Sequence, residues 1–126
     1  MQNGRALRKI AAIDIGTNST HLLVASVDPE LRTFSIELAE KSTTRLGERD
    51  PETGNLSEAA IERGLEALRR FRELALSHQV EQIVTAATSA VREAPNGRDF
   101  LQEIQDQLDL EVDLVSGPEE ARLIYL

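Results

Sequence analysis

The sequence predicts an α/β fold in which helices cover a mixed β-sheet. Three short runs with strand character lie within residues 9–39, and alternating helix and strand patterns follow them. Antiparallel strands followed by such alternation are typical of a mixed sheet packed against helices. The 126-residue chain contains 40% apolar and 29% charged residues, which suits one compact domain. We therefore expect residues 1–126 to form a single lobe.

The first three strands are expected to form a meander. Residues 9–14 are a short apolar run that ends in a polar turn, and residues 20–27 are a second apolar run. Residues 33–39 alternate polar and apolar side chains, which is the pattern of a half-exposed strand.

His21 lies in the second apolar run, residues 20–27. We expect it to be packed and hydrogen-bonded rather than a metal ligand, because no second His or Cys has ligand spacing.

Helices are predicted from the capping residues and from the apolar spacing. Ser57 is a suitable N-cap for a long amphipathic helix in which apolar residues recur every three or four positions. Thr88 is expected to cap a short helix, and residues 98–108 repeat the amphipathic pattern. A last helix is expected to begin after Ser116.

Two further strands, at residues 82–87 and 111–115, alternate with these helices. The resulting order of elements is βββαβαβα. This order matches the ribonuclease H-like fold, in which a mixed sheet starts with an antiparallel meander.

The composition argues against several kinds of partner. A net charge of -8 disfavours binding to duplex nucleic acid, and 3% aromatic residues disfavour base stacking on single strands. The chain has no cysteine, which removes disulfides and thiolate sites and agrees with a cytoplasmic location. The apolar stretch after Lys9 is interrupted by Asp14 and by residues 16–19, so we expect no membrane span.

The first candidate site is a strand end with a carboxylate, followed by a glycine and three hydrogen-bonding side chains: Asp14, Gly16, Thr17, Asn18 and Ser19. Glycine lets a ligand approach the backbone, successive N–H groups can point at one anion, and the hydroxyls add donors. Asp14 would then hold a cation or a water molecule. An ordinary hairpin turn explains the same residues equally well.

The second candidate site is Ser116-Gly117-Pro118-Glu119-Glu120. With Ser116 as the N-cap, Glu119 occupies the third helical position and can close a capping box. Glu120 has no such duty, and a carboxylate directed into a phosphate cleft can polarise the attacking water. From the residues alone, the simpler interpretation is favoured, in which Glu120 complements the helix dipole on a solvated face.

Two arginines are further candidates. Arg92 follows the Thr88-Ser89 hydroxyls at a helix start, and a guanidinium can bind an oxyanion through two hydrogen bonds. A capped helix with a surface arginine is an equally good interpretation. Arg45 precedes a glycine-containing loop and could face the same cleft, although a single loop arginine is usually solvated.

Three strings, at residues 11–19, 87–94 and 116–125, together identify a family. They read Ala-Ala-Ile-Asp-Ile-Gly-Thr-Asn-Ser, Ala-Thr-Ser-Ala-Val-Arg-Glu-Ala and Ser-Gly-Pro-Glu-Glu-Ala-Arg-Leu-Ile-Tyr. In this order they resemble the exopolyphosphatase/guanosine pentaphosphate phosphohydrolase family. The resemblance implies the first lobe of the actin-like ATPase superfamily, hydrolysis of terminal phosphoanhydride bonds in polyphosphate or guanosine pentaphosphate, and Mg²⁺ as cofactor. It also implies a homodimeric full-length protein.

Residue by residue, the resemblance implies a phosphate loop at residues 14–19, a substrate-binding arginine at Arg92 and the catalytic, water-activating glutamate at Glu120. Asp14 is then a candidate metal ligand. The other ligands are expected in a second, glycine-rich phosphate loop beyond residue 126, so we expect the 126-residue chain alone to be inactive. Residues 48–50, Glu-Arg-Asp, depart from the family pattern, which leaves loop-based substrate preference open.

Two other functions remain open at this stage. The generic Asp-x-Gly-Thr string at residues 14–17 also occurs in ATP-using kinase or ATPase lobes of the same superfamily. A non-catalytic module that binds polyphosphate or an alarmone would use the same loop with Arg92.

Overall fold

The computed structural model describes residues 7–115, which form one five-stranded sheet with helices on it. The elements are β1 (Arg8–Ile15), β2 (Thr20–Asp28), β3 (Thr33–Ser42), α1 (Glu58–Ser77), β4 (Gln82–Ala87), α2 (Ser89–Glu93), α3 (Gly97–Leu108) and β5 (Val112–Leu114). The predicted meander and the mixed sheet are confirmed. The order βββαβαβα counts one helix too few, because both α2 and α3 lie between β4 and β5. The helix predicted after Ser116, and with it Glu120, lies outside the described residues.

The strand order is β3-β2-β1-β4-β5. The β1–β2 and β2–β3 pairs are antiparallel, whereas β1–β4 and β4–β5 are parallel. In the parallel part, Ile15 pairs with Ala87, which in turn pairs with Leu114. The carboxyl ends of three adjacent strands therefore meet at one edge of the sheet.

One face of the sheet carries the core. Alternate residues of β1, Ala11, Ile13 and Ile15, are buried, as period-two geometry requires. The helices cover this face with fully or almost fully buried side chains, among them Leu68, Phe71, Phe100 and Ile104. The amphipathic spacing that predicted α1 and α3 is the pattern that places these side chains on the sheet.

The opposite face of the sheet is open among the described residues. Phe34 is 67% exposed and Ile36 is 58% exposed, while Leu38 packs partly against the core. The expected simple alternation along β3 is wrong at this point, because a bulge between Val24 and Ala25 shifts the β2–β3 register. Phe34 and Ile36, on one side of the bulge, consequently lie on the open face, whereas Leu38, on the other side, lies on the core face.

The helix ends show which capping predictions hold. The Ser57 hydroxyl accepts a hydrogen bond from the Ala60 N–H at 3.1 Å, so this N-cap is confirmed. Thr88 occupies the N-cap position of α2, but its side chain makes no capping bond and its hydroxyl lies 3.5 Å from the Ile15 carbonyl oxygen. The predicted capping role of Thr88 is therefore wrong, since the hydroxyl is directed at the neighbouring strand.

The α2–α3 connection depends on Gly97. A Cβ atom at this position would lie 2.0 Å from the Val91 carbonyl oxygen, which no side chain can tolerate. This close approach lets α3 start directly after the short α2.

Within the described part of the chain, no helix combines the length and apolar character that crossing a membrane requires.

Candidate functional site

Three segments meet at the carboxyl edge of β1 and β4. They are the β1–β2 loop (residues 16–19), the segment that follows β3 (residues 44–47) and the start of α2. In open α/β sheets, this edge is where backbone groups and loop side chains are left available to a ligand. The site is therefore defined by how these three segments are held together.

The β1–β2 loop is a tight turn closed by the Gly16 N–H, which donates to the Ser19 carbonyl oxygen at 3.0 Å. A Cβ atom at Gly16 would lie 2.9 Å from that same oxygen, so the turn requires glycine here. The amide N–H groups of Thr17, Asn18 and Ser19 have no acceptor among the described residues. Consecutive amides without a protein acceptor are available to donate hydrogen bonds to an anion.

Residues 44–47 dock onto this loop through the backbone. The Arg45 N–H donates to the Asn18 carbonyl oxygen at 3.0 Å, and the Gly47 N–H donates to the Thr17 carbonyl oxygen at 2.9 Å. A Cβ atom at Gly47 would lie 2.7 Å from Thr17 Cγ2. The close contact between the two segments therefore depends on the missing side chain.

A buried pair of hydroxyls lies beneath these contacts. Thr20 Oγ1 and Thr44 Oγ1 are 2.9 Å apart, and both residues are fully buried. Each hydroxyl satisfies the other in a region without solvent, where an unpaired hydroxyl is unfavourable. The pair fixes residues 44–47 relative to the start of β2. The pair could not be predicted from the sequence, because two threonines separated by 24 positions give no local signal.

The start of α2 forms the third wall. The Thr88 N–H donates to the Ile15 carbonyl oxygen at 3.2 Å, which continues the β1–β4 pairing past the last strand residue. Thr17 Oγ1 and Ser89 Oγ then lie 3.5 Å apart. The structure thus brings two predicted hydroxyl clusters, which are 72 positions apart in the chain, to the same place.

Asp14 and His21 lie opposite each other on the open face, two residues before and two residues after the loop. Both side chains are exposed, so the expectation of a packed His21 is wrong. The residues of β2 alternate between the two sheet faces, and His21 lies on the open face. Desolvation raises the pKa of the Asp14 carboxyl above its ordinary value of 3.8, and the nearby His21 opposes part of this rise.

Arg92 lies at the end of α2 and reaches across to β5. Its Nη1 atom donates to the carbonyl oxygen of Val115, the last described residue. Arg92 therefore holds the chain where it leaves the parallel edge, one residue before the segment that contains Glu120. An arginine side chain has further N–H donors, so this contact leaves part of the guanidinium available to an anion.

Arg49 explains one departure from the expected family pattern. Its Nη2 atom donates to the Ala90 carbonyl oxygen at 2.7 Å, and its Nη1 atom donates to the Gly54 carbonyl oxygen at 3.2 Å. It therefore ties the loop before α1 to α2 through the backbone. Sequence reasoning missed this role, because a charged residue in a polar loop usually indicates a solvated surface.

Asp14 is the candidate metal ligand among the described residues. No group of three or more His, Cys, Asp or Glu side chains within residues 7–115 has the arrangement of a metal site. Asp14 supplies a single exposed carboxylate beside the loop. A single carboxylate fits Mg²⁺, which commonly takes one or two protein carboxylates and completes its shell with water and substrate phosphates.

The sheet order and the edge site define an α/β lobe of the ribonuclease H-like class to which the actin-like ATPases belong. The Ppx/GppA family member of Aquifex aeolicus superposes with a TM-score of 0.88 at 32% identity, over 95% of this chain and 39% of that chain. An exopolyphosphatase from Cytophaga hutchinsonii gives a TM-score of 0.85 at 32% identity, over 94% of this chain and 37% of that chain.

The sequence comparisons identify the family. A bifunctional 3-dehydroquinate synthase/phosphatase of Fusobacterium nucleatum is 37% identical over 120 residues, which are 91% of this chain and 18% of that protein. The profile of the Ppx/GppA phosphatase family matches residues 23–126. The chain belongs to the Ppx/GppA phosphatase family. It spans less than half the length of each of these three relatives.

Proposed function

We propose that the protein hydrolyses terminal phosphoanhydride bonds of a phosphate polyanion, either inorganic polyphosphate or guanosine pentaphosphate. The observation that carries this proposal is the β1–β2 loop, whose three consecutive N–H groups, at residues 17–19, have no acceptor among the described residues. Membership of a phosphatase family, with an exopolyphosphatase among the similar structures, supports the same chemistry.

In this proposal the β1–β2 loop binds the terminal phosphate. Its amides and the Thr17 and Ser19 hydroxyls donate hydrogen bonds to the phosphoryl oxygens, and the docked residues 44–47 keep the loop in one conformation. Asp14 would be one ligand of Mg²⁺, which neutralises negative charge on the phosphates when bound. Arg92 would use the N–H groups not directed at Val115 to bind another phosphoryl oxygen.

Glu120 is proposed as the base. Its carboxylate accepts a proton from water as the water oxygen bonds to the terminal phosphorus and the bond to the bridging oxygen breaks, so that the shortened phosphate chain leaves. Glu119 is assigned the capping box with Ser116 instead.

We also propose that the 126-residue chain alone does not hydrolyse these substrates. It covers 39% of the solved Aquifex aeolicus family member, and its described residues supply a single candidate metal carboxylate. Phosphoryl transfer depends on positioning and charge neutralisation, which one loop provides only in part.

The test measures phosphate release from polyphosphate and from guanosine pentaphosphate with Mg²⁺, by the 126-residue chain and by the same chain within a protein of full family length. The longer protein is expected to release phosphate and the short chain is not. In the longer protein, Glu120→Gln is expected to lower kcat by about a hundredfold or more, while the matched Glu119→Gln stays within a few-fold of wild type. Binding without release by the longer protein would favour a binding module, and normal turnover in Glu120→Gln would remove the assignment of the base.

A further inference from the structure

Four arginines surround the candidate site, and three of them bind backbone carbonyl oxygens. Arg49 donates to Ala90 and Gly54, and Arg92 donates to Val115. Arg63 donates from Nε to the Thr44 carbonyl oxygen at 3.0 Å and forms an ion pair with Glu48 at 3.4 Å. These three side chains hold the segments of the site together.

Arg45 differs from the other three. Its side chain is exposed and has no hydrogen-bond or ion-pair partner among the described residues. Glu48, the acid closest to it in the sequence, is already paired with Arg63 and lies 3.4 Å from the Ser57 hydroxyl. Among the described residues, nothing therefore competes with a ligand for the guanidinium of Arg45.

The backbone of Arg45 is fixed. Its neighbours Thr44 and Leu46 are both fully buried, and its N–H donates to Asn18 in the β1–β2 loop. The Arg45 carbonyl oxygen accepts a hydrogen bond from the Glu48 N–H at 3.1 Å, which closes a turn. An exposed cation is thus attached to a rigid segment in direct contact with the loop that has unpaired amides.

The conformation of Arg45 is unusual for a residue with a side chain, since its φ is 48°. The other non-glycine residues of this kind within residues 7–115 lie in a hairpin turn or at helix ends: Arg32, Gln79 and Asp109. Those are ordinary places for a left-handed residue. Arg45 instead lies in the segment that docks on the site, where glycine or asparagine would be easier to accommodate.

We propose that Arg45 is a substrate-binding residue that contacts a phosphate group of the polyanion held by the β1–β2 loop. This inference rests on the proposed function and adds a second guanidinium to the site beside Arg92. Two cations on different segments beside the loop would bind a ligand with several adjacent phosphates better than orthophosphate, because one phosphate cannot contact both cations equally well.

The experiment measures binding of magnesium tripolyphosphate to the 126-residue chain by calorimetry. Arg45→Gln is expected to weaken binding by about tenfold or more, as loss of a charge-assisted hydrogen bond would. Arg32→Gln is the matched control. It removes the same charge at another left-handed position, φ 55°, in the β2–β3 turn at the opposite end of β2, and its affinity is expected to stay within about twofold of wild type.

Two additional readouts separate ligand contact from a structural effect. Arg45→Lys keeps the charge without the planar fork, so its affinity is expected to lie between wild type and Arg45→Gln. The urea midpoint of Arg45→Gln is expected to match that of the wild-type chain, because no described residue forms a hydrogen bond or an ion pair with the guanidinium.

The outcomes distinguish this inference from the proposed hydrolase. Equal affinities of Arg45→Gln and Arg32→Gln would overturn the role of Arg45, whether or not the full-length protein hydrolyses polyphosphate. If the 126-residue chain does not bind tripolyphosphate, the same two variants are compared in the protein of full family length. Equal affinities there overturn the role of Arg45, and weaker binding by Arg45→Gln supports it. Weaker binding by Arg45→Gln with an unchanged urea midpoint would support it, even if Glu120 proved to have no part in turnover.

Discussion

At the scale of single residues, Asp14 combines a position beside the candidate phosphate loop with an unfavourable environment. It is the last outward-facing residue of β1, beside the β1–β2 loop, and desolvation raises the pKa of its carboxyl. Removing water from a carboxylate is unfavourable for folding, and a bound cation would offset that effect. The same carboxylate is therefore suited to ligand binding and poorly suited to stabilising the unliganded chain.

This environment predicts a pH dependence. The pKa of Asp14 is higher in the folded chain than its ordinary value of 3.8, so the protonated carboxyl favours the folded state. This stabilisation is complete at low pH and is lost as the pH rises from the ordinary pKa through the raised pKa. Over that pH range, Asp14→Asn is expected to become more stable relative to wild type. Urea unfolding of both proteins without Mg²⁺, from about pH 3.5 to 7, measures the difference. A difference that is constant over this range would contradict the prediction.

At the scale of elements, the docking of residues 44–47 onto the β1–β2 loop depends on the buried Thr20–Thr44 pair. Thr44→Val should leave the Thr20 hydroxyl buried without a partner and destabilise the chain by about 1–3 kcal/mol. The double variant Thr20→Val/Thr44→Val removes both polar groups and is expected to recover part of that loss. A double-mutant cycle from urea unfolding gives the coupling energy, and strictly additive effects would show that the two hydroxyls do not support each other.

The elements also show what could be predicted from the sequence. Apolar spacing placed the strands, α1 and α3 within residues 7–115 to within a few positions, because burial on one face imposes a regular period. The register bulge after Val24 was not predictable, since an inserted residue shifts the pairing without changing the apolar character of either strand. The exposure of Phe34 follows from that shift.

The candidate site was predicted only in part, for a related reason. Residues 14–19 and Arg92 stand out locally, because carboxylates, glycines and hydroxyls cluster in short strings. The contacts of Arg49 with Ala90 and of Thr44 with Thr20 join residues 41 and 24 positions apart. No short-range pattern carries such contacts, and they appear only when the strand order is known.

At the scale of the whole molecule, the sheet has one covered face and one open face within residues 7–115, and two phenylalanines test this description. Phe71 is fully buried on α1, whereas Phe34 is 67% exposed on β3. Phe71→Ala is expected to cost about 3–5 kcal/mol of unfolding free energy, a large share of a typical domain's stability. Phe34→Ala is expected to cost less than about 1 kcal/mol. Similar losses for the two variants, measured by urea unfolding, would mean that the Phe34 face is covered.

The parallel pairing of β1 with β4 also has a consequence for the order of folding events. The β1–β2–β3 meander joins neighbours in the chain and can form early, but Thr17 meets Ser89 only after a further 72 residues have been placed. Closing such a long loop makes this contact slower to form than the hairpins. On a ribosome, the β1–β2 loop would therefore emerge and turn back on itself well before its third wall exists. Binding competence would arise late, when α1 has packed on the sheet and β4 has inserted beside β1.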